Sequence, residues 1–454
     1  MSAPADARAE RPNPGPPRAY RFPEFEQHTL SNGVRVVVAP VLKLPLASAR
    51  LVLDAGAMTE PSGAEGVAVL TTRALLEGTT SRDADALAID LERLGASVDV
   101  GASWDLAALS ATVVSERLPD LLELMAEMVR TPRFAERDVM RLRGEMLAEL
   151  VNRRAEPRGL ADDMFGRFVY VPESRYAAPE DGRRESVGAL DPDDLTAFHA
   201  KRMVPAAATL IVAGDVVPSE IVAMAERMLG DWTGDAAAPP QVMDAPKHDR
   251  AAAHLVRRPD APQSELRIGH VGLPRKHPDY FPVTVMNAIL GGLFNSRINL
   301  NLRETHAYTY GAFSNFEWRR AAGPFVVSTA VQSEVTVAAA REVMNEIGRM
   351  RAEPVSSDEL SLAVSYLDGV FPIRYETTAA IAQALTALVV HDLPPDYYDT
   401  YRERVRAVTL PDVLHAAERH LHPNAMQVVI VGDPAVVAEP LGEAGFGEVE
   451  TVEE

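Results

Sequence analysis

The chain has 454 residues, 47% of them hydrophobic and 24% charged, which is globular composition too long for one ordinary core and suited to about two to four domains. A formal net charge of −20 argues against a nucleic-acid binder, and no apolar run reaches the ~18 residues of a membrane span. There is no cysteine, which removes disulfides, thiolate catalysis and cysteine-ligated metals together.

Residues 1–24 read as a flexible leader, rich in Pro, Ala and Arg as far as Pro17 and lacking the apolar core of a signal peptide. As written the chain is cytoplasmic, and a signal trimmed before this numbering begins would make it periplasmic; the sequence leaves the compartment open. Residues 25–233 read as one α+β unit. A turn at Ser31-Asn32-Gly33 precedes a strand over Val34 to Ala39, and Ala47 to Leu53 gives another. Gly66 to Thr79 carries small and apolar residues at helical spacing (Val67, Ala68, Leu70, Ala74 and Leu75) with Gly78 as a stop, so a short buried helix is predicted. An amphipathic helix follows over Ala84 to Leu94, closed by Gly95. Ser97 to Trp104 and Leu106 to Val114 alternate like paired strands. Two helices, Arg117 to Arg130 and Ala135 to Arg153, are split by Pro132, and Pro205 to Val212 is a closing strand.

Residues 234–251 turn to Asp, Ala and Pro with little pattern and read as a linker, and organisation resumes over 252–454. The second half repeats the first. Pro205, Gly214 and Asp215 recur as Pro423, Gly432 and Asp433, each 218 residues on, and the helix break at Pro132 recurs at Pro354. Two homologous α+β domains joined by a linker are therefore expected.

The frame around Gly66 to Thr79 resembles the insulinase/pitrilysin family of metallopeptidases, whose first helix carries an inverted zinc motif, H-x-x-E-H. A helix binds zinc through imidazoles at i and i+4, which share a face, with a carboxylate between them to activate water. Here those positions hold Val69, Thr72 and Arg73. Valine has no lone pair, threonine is a poor base, and a permanent cation repels a metal ion. Glu149, in Glu145-Met146-Leu147-Ala148-Glu149-Leu150, stands where the resemblance places a third ligand, and without the other ligands it reads as a solvated or Arg-paired glutamate. No metal is expected in this chain.

Gly291 to Tyr310 resembles the same family's C-terminal signature, roughly Ser-Arg-Leu-x-x-x-Leu-Arg-Glu followed by Tyr. Arg303 and Tyr310 match its arginine and tyrosine. The resemblance implies that the arginine holds substrate main chain and that the tyrosine hydroxyl donates to the oxyanion of the tetrahedral intermediate. A guanidinium fork and a neutral phenol suit those tasks. Taken alone, the two would more often be an ion pair and a cross-strand aromatic contact.

The resemblance implies a fold of two domains, each a mainly antiparallel sheet packed with helices, forming half of a clam-shell peptide chamber. It further implies a non-catalytic subunit of a heterodimeric zinc metalloendopeptidase. In that reading a homologous H-x-x-E-H partner holds the zinc, peptides or unfolded polypeptides are the substrates, and Ser97, Val98, Asp99, Val100, Gly101 and Ala102 form a strand edge for peptide pairing. The alternative is a degenerate homologue acting as scaffold or assembly subunit; a zinc peptidase acting alone is disfavoured by the lost ligands. Other candidates read as structural. His415 and His420 diverge on a helix, so that segment is a solvated helix end; Gly291-Gly292 lacks the lysine of a phosphate loop; His199 is a lone core histidine; and Glu448 to Glu454 is a frayed tail.

Overall fold

The computed structural model describes residues 19–453 apart from 236, 237 and 239–241. The leader expected over Met1 to Pro17 lies outside the described residues, as does part of the linker. Two six-stranded sheets organise the chain, and their orders make the internal repeat visible. The first runs β1-β2-β6-β3-β5-β4, built from β1 (Glu26–Thr29), β2 (Arg35–Pro40), β3 (Leu46–Leu53), β4 (Asp99–Ala102), β5 (Ala107–Val114) and β6 (Ala208–Gly214). The second runs β12-β7-β11-β8-β10-β9, built from β7 (Ala252–Arg257), β8 (Gln263–Val271), β9 (Ala312–Phe316), β10 (Pro324–Gln332), β11 (Gln427–Gly432) and β12 (Glu448–Val452). The strands β2 and β6 pair parallel, as do β7 and β11, while β3 and β8 pair antiparallel with their neighbours. The fold is α+β in two domains.

Burial explains why the strands are apolar without alternation. In the first sheet Val36, Val38, Leu51, Leu210 and Val212 face helices of their own half, among them α3 (Leu118–Arg130) and Pro218–Leu229. Val37, Ala39, Val52, Ile211 and Ala213 point the other way, into a core that includes Ile381 and Leu385 of the helix Thr378–Val390, which belongs to the second half. The second sheet is treated reciprocally. Its Val256, Val326, Val429 and Val431 are covered by Leu160, Ala161, Met164, Phe165 and Phe168 of α5 (Pro157–Val169), a first-half helix. A sheet buried on both faces requires runs such as Arg35-Val36-Val37-Val38-Ala39 and Thr209-Leu210-Ile211-Val212. Each half therefore completes its partner's core. For these labels, α1 is Val67–Ala74, α2 is Ala84–Leu94 and α4 is Glu136–Ala155.

Several expectations are corrected. The expected strand Ser97–Trp104 is the shorter β4, so Ser97 and Val98 lie in its lead-in. Tyr20 and Phe22, counted with the leader, are packed against the second half: the Tyr20 hydroxyl donates to the Tyr375 carbonyl (2.9 Å), and Phe22 stacks on Tyr398 at 4.5 Å between ring centres. The end of the linker is tied to the body, since Val171 N–H donates to the Ala245 carbonyl (3.2 Å) and Lys247 N–H to that of Val169 (2.9 Å). Residues 448–452, expected as a frayed tail, form β12, parallel to β7.

If each half completes the other's core, cutting one exchanged contact weakens the whole molecule. Leu385→Ala, at a side chain 1% exposed, is expected to cost about 3 kcal/mol. Urea denaturation should show one cooperative transition shifted down; two separable transitions, with only one moved, would mean that the halves fold independently.

Candidate functional site

The helix α1 is held from its N-terminus. Gly66 enters it with φ +100°, a left-handed conformation, and its face abuts the Asp181 carbonyl so closely that a Cβ would lie 2.7 Å away. The Glu60 carboxylate, with a fully buried side chain, accepts from Gly66 N–H (3.0 Å) and Ala68 N–H (2.9 Å), two donors the helix leaves open. Burial pushes its carboxyl up, opposed by Arg175 and by the two backbone donors. Arg175 pairs with it at 2.7 Å and spends its remaining protons on the carbonyls of Ala178, Pro179 and Glu180. No sequence pattern marked Glu60 or Arg175, because the two side chains meet across 115 residues of chain and their other partners are backbone atoms.

On this anchored helix lie Val69, Thr72 and Arg73, the positions that the resemblance assigns to the zinc motif, and each is engaged otherwise. Val69 is buried among apolar side chains. The Thr72 hydroxyl donates to the Ala68 carbonyl (2.7 Å), so it is engaged within its own helix. Arg73 Nη1 lies 2.8 Å from a Glu149 carboxylate oxygen on α4. The guanidinium thus stands against the carboxylate that the resemblance makes a ligand. These residues do not fit a zinc ion. Among the described residues one other group has metal-ligating geometry, His277, Asp279 and His420. There His420 Nε2 is 2.7 Å from Asp279 Oδ2, and Arg419 also reaches Asp279, at 3.2 Å, adding positive charge beside that carboxylate. His420 is buried in this contact, which corrects its reading as a solvated helix end. His199 is satisfied as expected: its Nε2 sits 2.6 Å from the Val129 carbonyl oxygen, and burial lowers its pKa.

The second constellation is built on irregular backbone. Gly291 packs so tightly on β9 that a Cβ would lie 2.4 Å from the Ser314 hydroxyl. Ile298 and Leu302 are buried, while Arg303 rides a π-helical stretch, Leu300–Thr305. Its guanidinium lies 4.6 Å from the centre of the Phe294 ring and 3.5 Å from Glu304. Ala307 then takes a left-handed φ of +54°. The chain makes a bend held by Thr329 of β10, whose hydroxyl donates to the Gly311 carbonyl (3.1 Å) and bonds Thr309 Oγ1 (3.1 Å). Tyr310 is the apex of that bend rather than a strand residue, and it is 95% exposed. Its neighbours are fixed while its ring stands in water. The Ser-Arg part of the motif is structural: Arg297 forks onto Glu359 (2.6 and 3.0 Å), which also caps the helix Ser357–Arg374 through Ser356.

The candidate peptide edge is real as an edge. Among the described residues strand β4 pairs only with β5 and closes the first sheet, and α1 packs beside it. Asp99 and Gly101 are exposed, Val100 and Ala102 half-buried, and the space beside Gly101 is open. Ser97 and Val98 run into it without pairing. At its far end the turn of this hairpin meets the turn of the β9–β10 hairpin. Asp105 accepts from Arg320 N–H (3.0 Å), and Arg319 lies 4.3 Å from the centre of the Trp104 ring. The two edge strands are thereby tied at their tips.

Two contrasted substitutions test which ion pair holds α1. Arg175→Met strands a buried carboxylate and is expected to cost about 3–5 kcal/mol, whereas Arg73→Met, at a half-exposed pair, should cost less than about 1 kcal/mol in thermal or urea unfolding. The opposite ranking would contradict the anchoring. A pH test follows from Glu359, whose carboxyl Arg297 holds down at about 2, below its ordinary 4.5. A depressed carboxyl contributes stability above 4.5 and loses it as pH falls toward 2. Glu359→Gln should therefore lower the unfolding temperature at neutral pH and flatten its acid limb over that window; an unchanged acid limb would sink the assignment.

Comparison with known proteins agrees with this geometry. Residues 36–168 match the family model described as insulinase (peptidase family M16), and residues 189–367 match that of the peptidase M16 inactive domain. An uncharacterized zinc protease of Mycobacterium leprae is 27% identical over 312 residues, 68% of each chain. A probable mitochondrial-processing peptidase subunit beta of Schizosaccharomyces pombe is 24% identical over 279 residues, 60% of this chain and 59% of that one. A crystal structure of a peptidase M16 inactive domain from Pseudomonas fluorescens superposes with a TM-score of 0.85 at 27% identity, covering 90% of this chain and 98% of that one. A protease from Helicobacter pylori shares the fold with a TM-score of 0.85 at 19% identity, covering 90% and 100%. With both halves matched in sequence and in fold, the chain belongs to the insulinase family as a two-domain peptidase-like protein.

Proposed function

We propose that this chain is the non-catalytic subunit of a heterodimeric zinc metalloendopeptidase, in which a homologous H-x-x-E-H subunit holds the zinc and this subunit supplies part of the substrate site. The observation that carries the reading is the contrast between the two constellations. The metal positions are consumed by an Arg73–Glu149 ion pair, while Tyr310 is held by its backbone with its phenol in solvent. A large aromatic side chain fixed in water at the apex of a pinned bend is suited to meeting something that arrives.

In this reading Tyr310 donates its hydroxyl proton to the oxyanion that develops at the scissile carbonyl, and Arg303 turns from the Phe294 face to fork onto substrate carbonyl or carboxylate oxygens. The β4 edge, with Ser97 and Val98 leading into it, adds a peptide as a further strand through the main-chain groups of Asp99, Val100, Gly101 and Ala102. Specificity from such an edge is weak in side chains, which suits peptides and unfolded segments. One observation favours the scaffold reading instead: Arg303 already has internal partners in Phe294 and Glu304.

The test is purification from the native host followed by peptide cleavage with this chain alone, its co-purifying partner alone, the pair, and the pair carrying Tyr310→Phe. Cleavage only by the pair, with kcat reduced about 100-fold by Tyr310→Phe and KM little changed, supports the composite site. A pair indifferent to Tyr310, or no zinc-binding partner at all, would establish the scaffold reading.

A further inference from the structure

A cavity of about 990 Å³ opens where α4 ends, and its charge runs against that of the chain. Arg154, Arg167, Arg183, Arg184 and Lys247 line it, against two acids among the described residues, Asp163 and Glu185, in a protein of net charge −20. One of those acids is already engaged, since Asp163 lies 3.1 Å from Arg153. Elsewhere the arginines are largely committed: Arg82, Arg141, Arg267 and Arg297 each meet carboxylates. Arg154, Arg167 and Arg184 are exposed, and among the described residues none of the three is in an ion pair. Cations that outnumber the acids beside them repel one another, and an anion entering among them relieves that repulsion.

The position matters as much as the charge. Leu150 and Val151 line the cavity and directly follow Glu149, so it begins one step beyond the degenerate zinc position. On its other side Gly182 presses on the segment that starts α1, where a Cβ would lie 2.2 Å from the Glu65 carbonyl oxygen. The volume is that of a site for a sizeable ligand and far exceeds a single inorganic anion. Apolar surface from Leu150, Val151 and Met164 lies among the guanidiniums, which suits a polypeptide better than a bare polyphosphate.

We propose that this cavity binds acidic side chains of an extended peptide, so that the subunit selects segments carrying clustered Asp or Glu. The consequence for cleavage rests on the composite-peptidase reading above; the binding does not.

The first experiment uses the full chain alone, at low salt, with a fluorescent Glu-rich peptide, its Gln-substituted copy, and tripolyphosphate as competitor. The Glu peptide is expected to bind about ten-fold or more tightly than the Gln copy, and Arg154→Ser with Arg184→Ser to bring the two near parity. These arginines are exposed, so the fold should survive, which circular dichroism checks. Equal binding of the two peptides overturns the proposal. So does a preference that survives the double variant, or displacement of the peptide by tripolyphosphate at equal or lower concentration, which would mark a general polyanion site. In the reconstituted pair, loss of cleavage with Tyr310→Phe but equal kcat/KM for acidic and neutral peptides leaves the composite site standing and removes this inference. Selective binding by a chain that finds no peptidase partner does the reverse.

Discussion

Everything in the molecule depends on the exchange of helices between its halves. Neither sheet has two faces that its own half can cover, and an apolar sheet face left to water is costly. The helix Thr378–Val390 closes the first sheet and α5 closes the second, and the hairpin tips at Asp105 and Arg320 then fix the angle between them. This is why a molecule of two homologous domains behaves as one frame. The irregular π-helical stretch around Arg303 rests on the same frame, through the buried Leu302.

That frame separates shape from chemistry. The helix that carries the family's metal motif is positioned by Gly66, Glu60 and Arg175, none of which would touch a metal. Its ligands can therefore be exchanged without loss of position. In this chain the Arg73 guanidinium stands against Glu149, so the charge of that carboxylate is balanced without a metal ion. The same logic separates the residues of the C-terminal signature. Arg297 is a structural clamp on Glu359, and Tyr310 is a side chain with nothing of its own to hold.

Much of this was legible in the sequence, for identifiable reasons. The helix Ala84–Leu94 was readable because its amphipathic pattern is local and Gly95 closes it in a left-handed conformation; the Asp83 cap is a further local signal. The repeat was readable because Gly214 and Gly432 do the same work at the ends of equivalent strands, each lying against a backbone or side chain that leaves no room for a Cβ. The Arg73–Glu149 contact was half legible, since an arginine-paired Glu149 is one of the two readings its helix allows. The helix exchange was not, since apolar periodicity says that a face is covered and never by what. Nor were the anchoring of Phe22, the burial of His420 against Asp279, or the basic cavity, each assembled from segments distant in sequence. Tyr310, whose structural alternative was a cross-strand aromatic contact, stands two residues before β9 in a bend that only Thr329 reveals.

If the helix frame persists with only its ligands replaced, restoring the ligands restores the metal site. Isothermal titration of zinc into this chain and into a Val69→His/Thr72→Glu/Arg73→His variant tests it most directly. The account predicts no tight stoichiometric site on α1 in the natural chain and one zinc per chain in the variant, lost again on adding Glu149→Ala. A tight zinc abolished by Glu149→Ala in the natural chain, or a folded variant that takes up none, would contradict it.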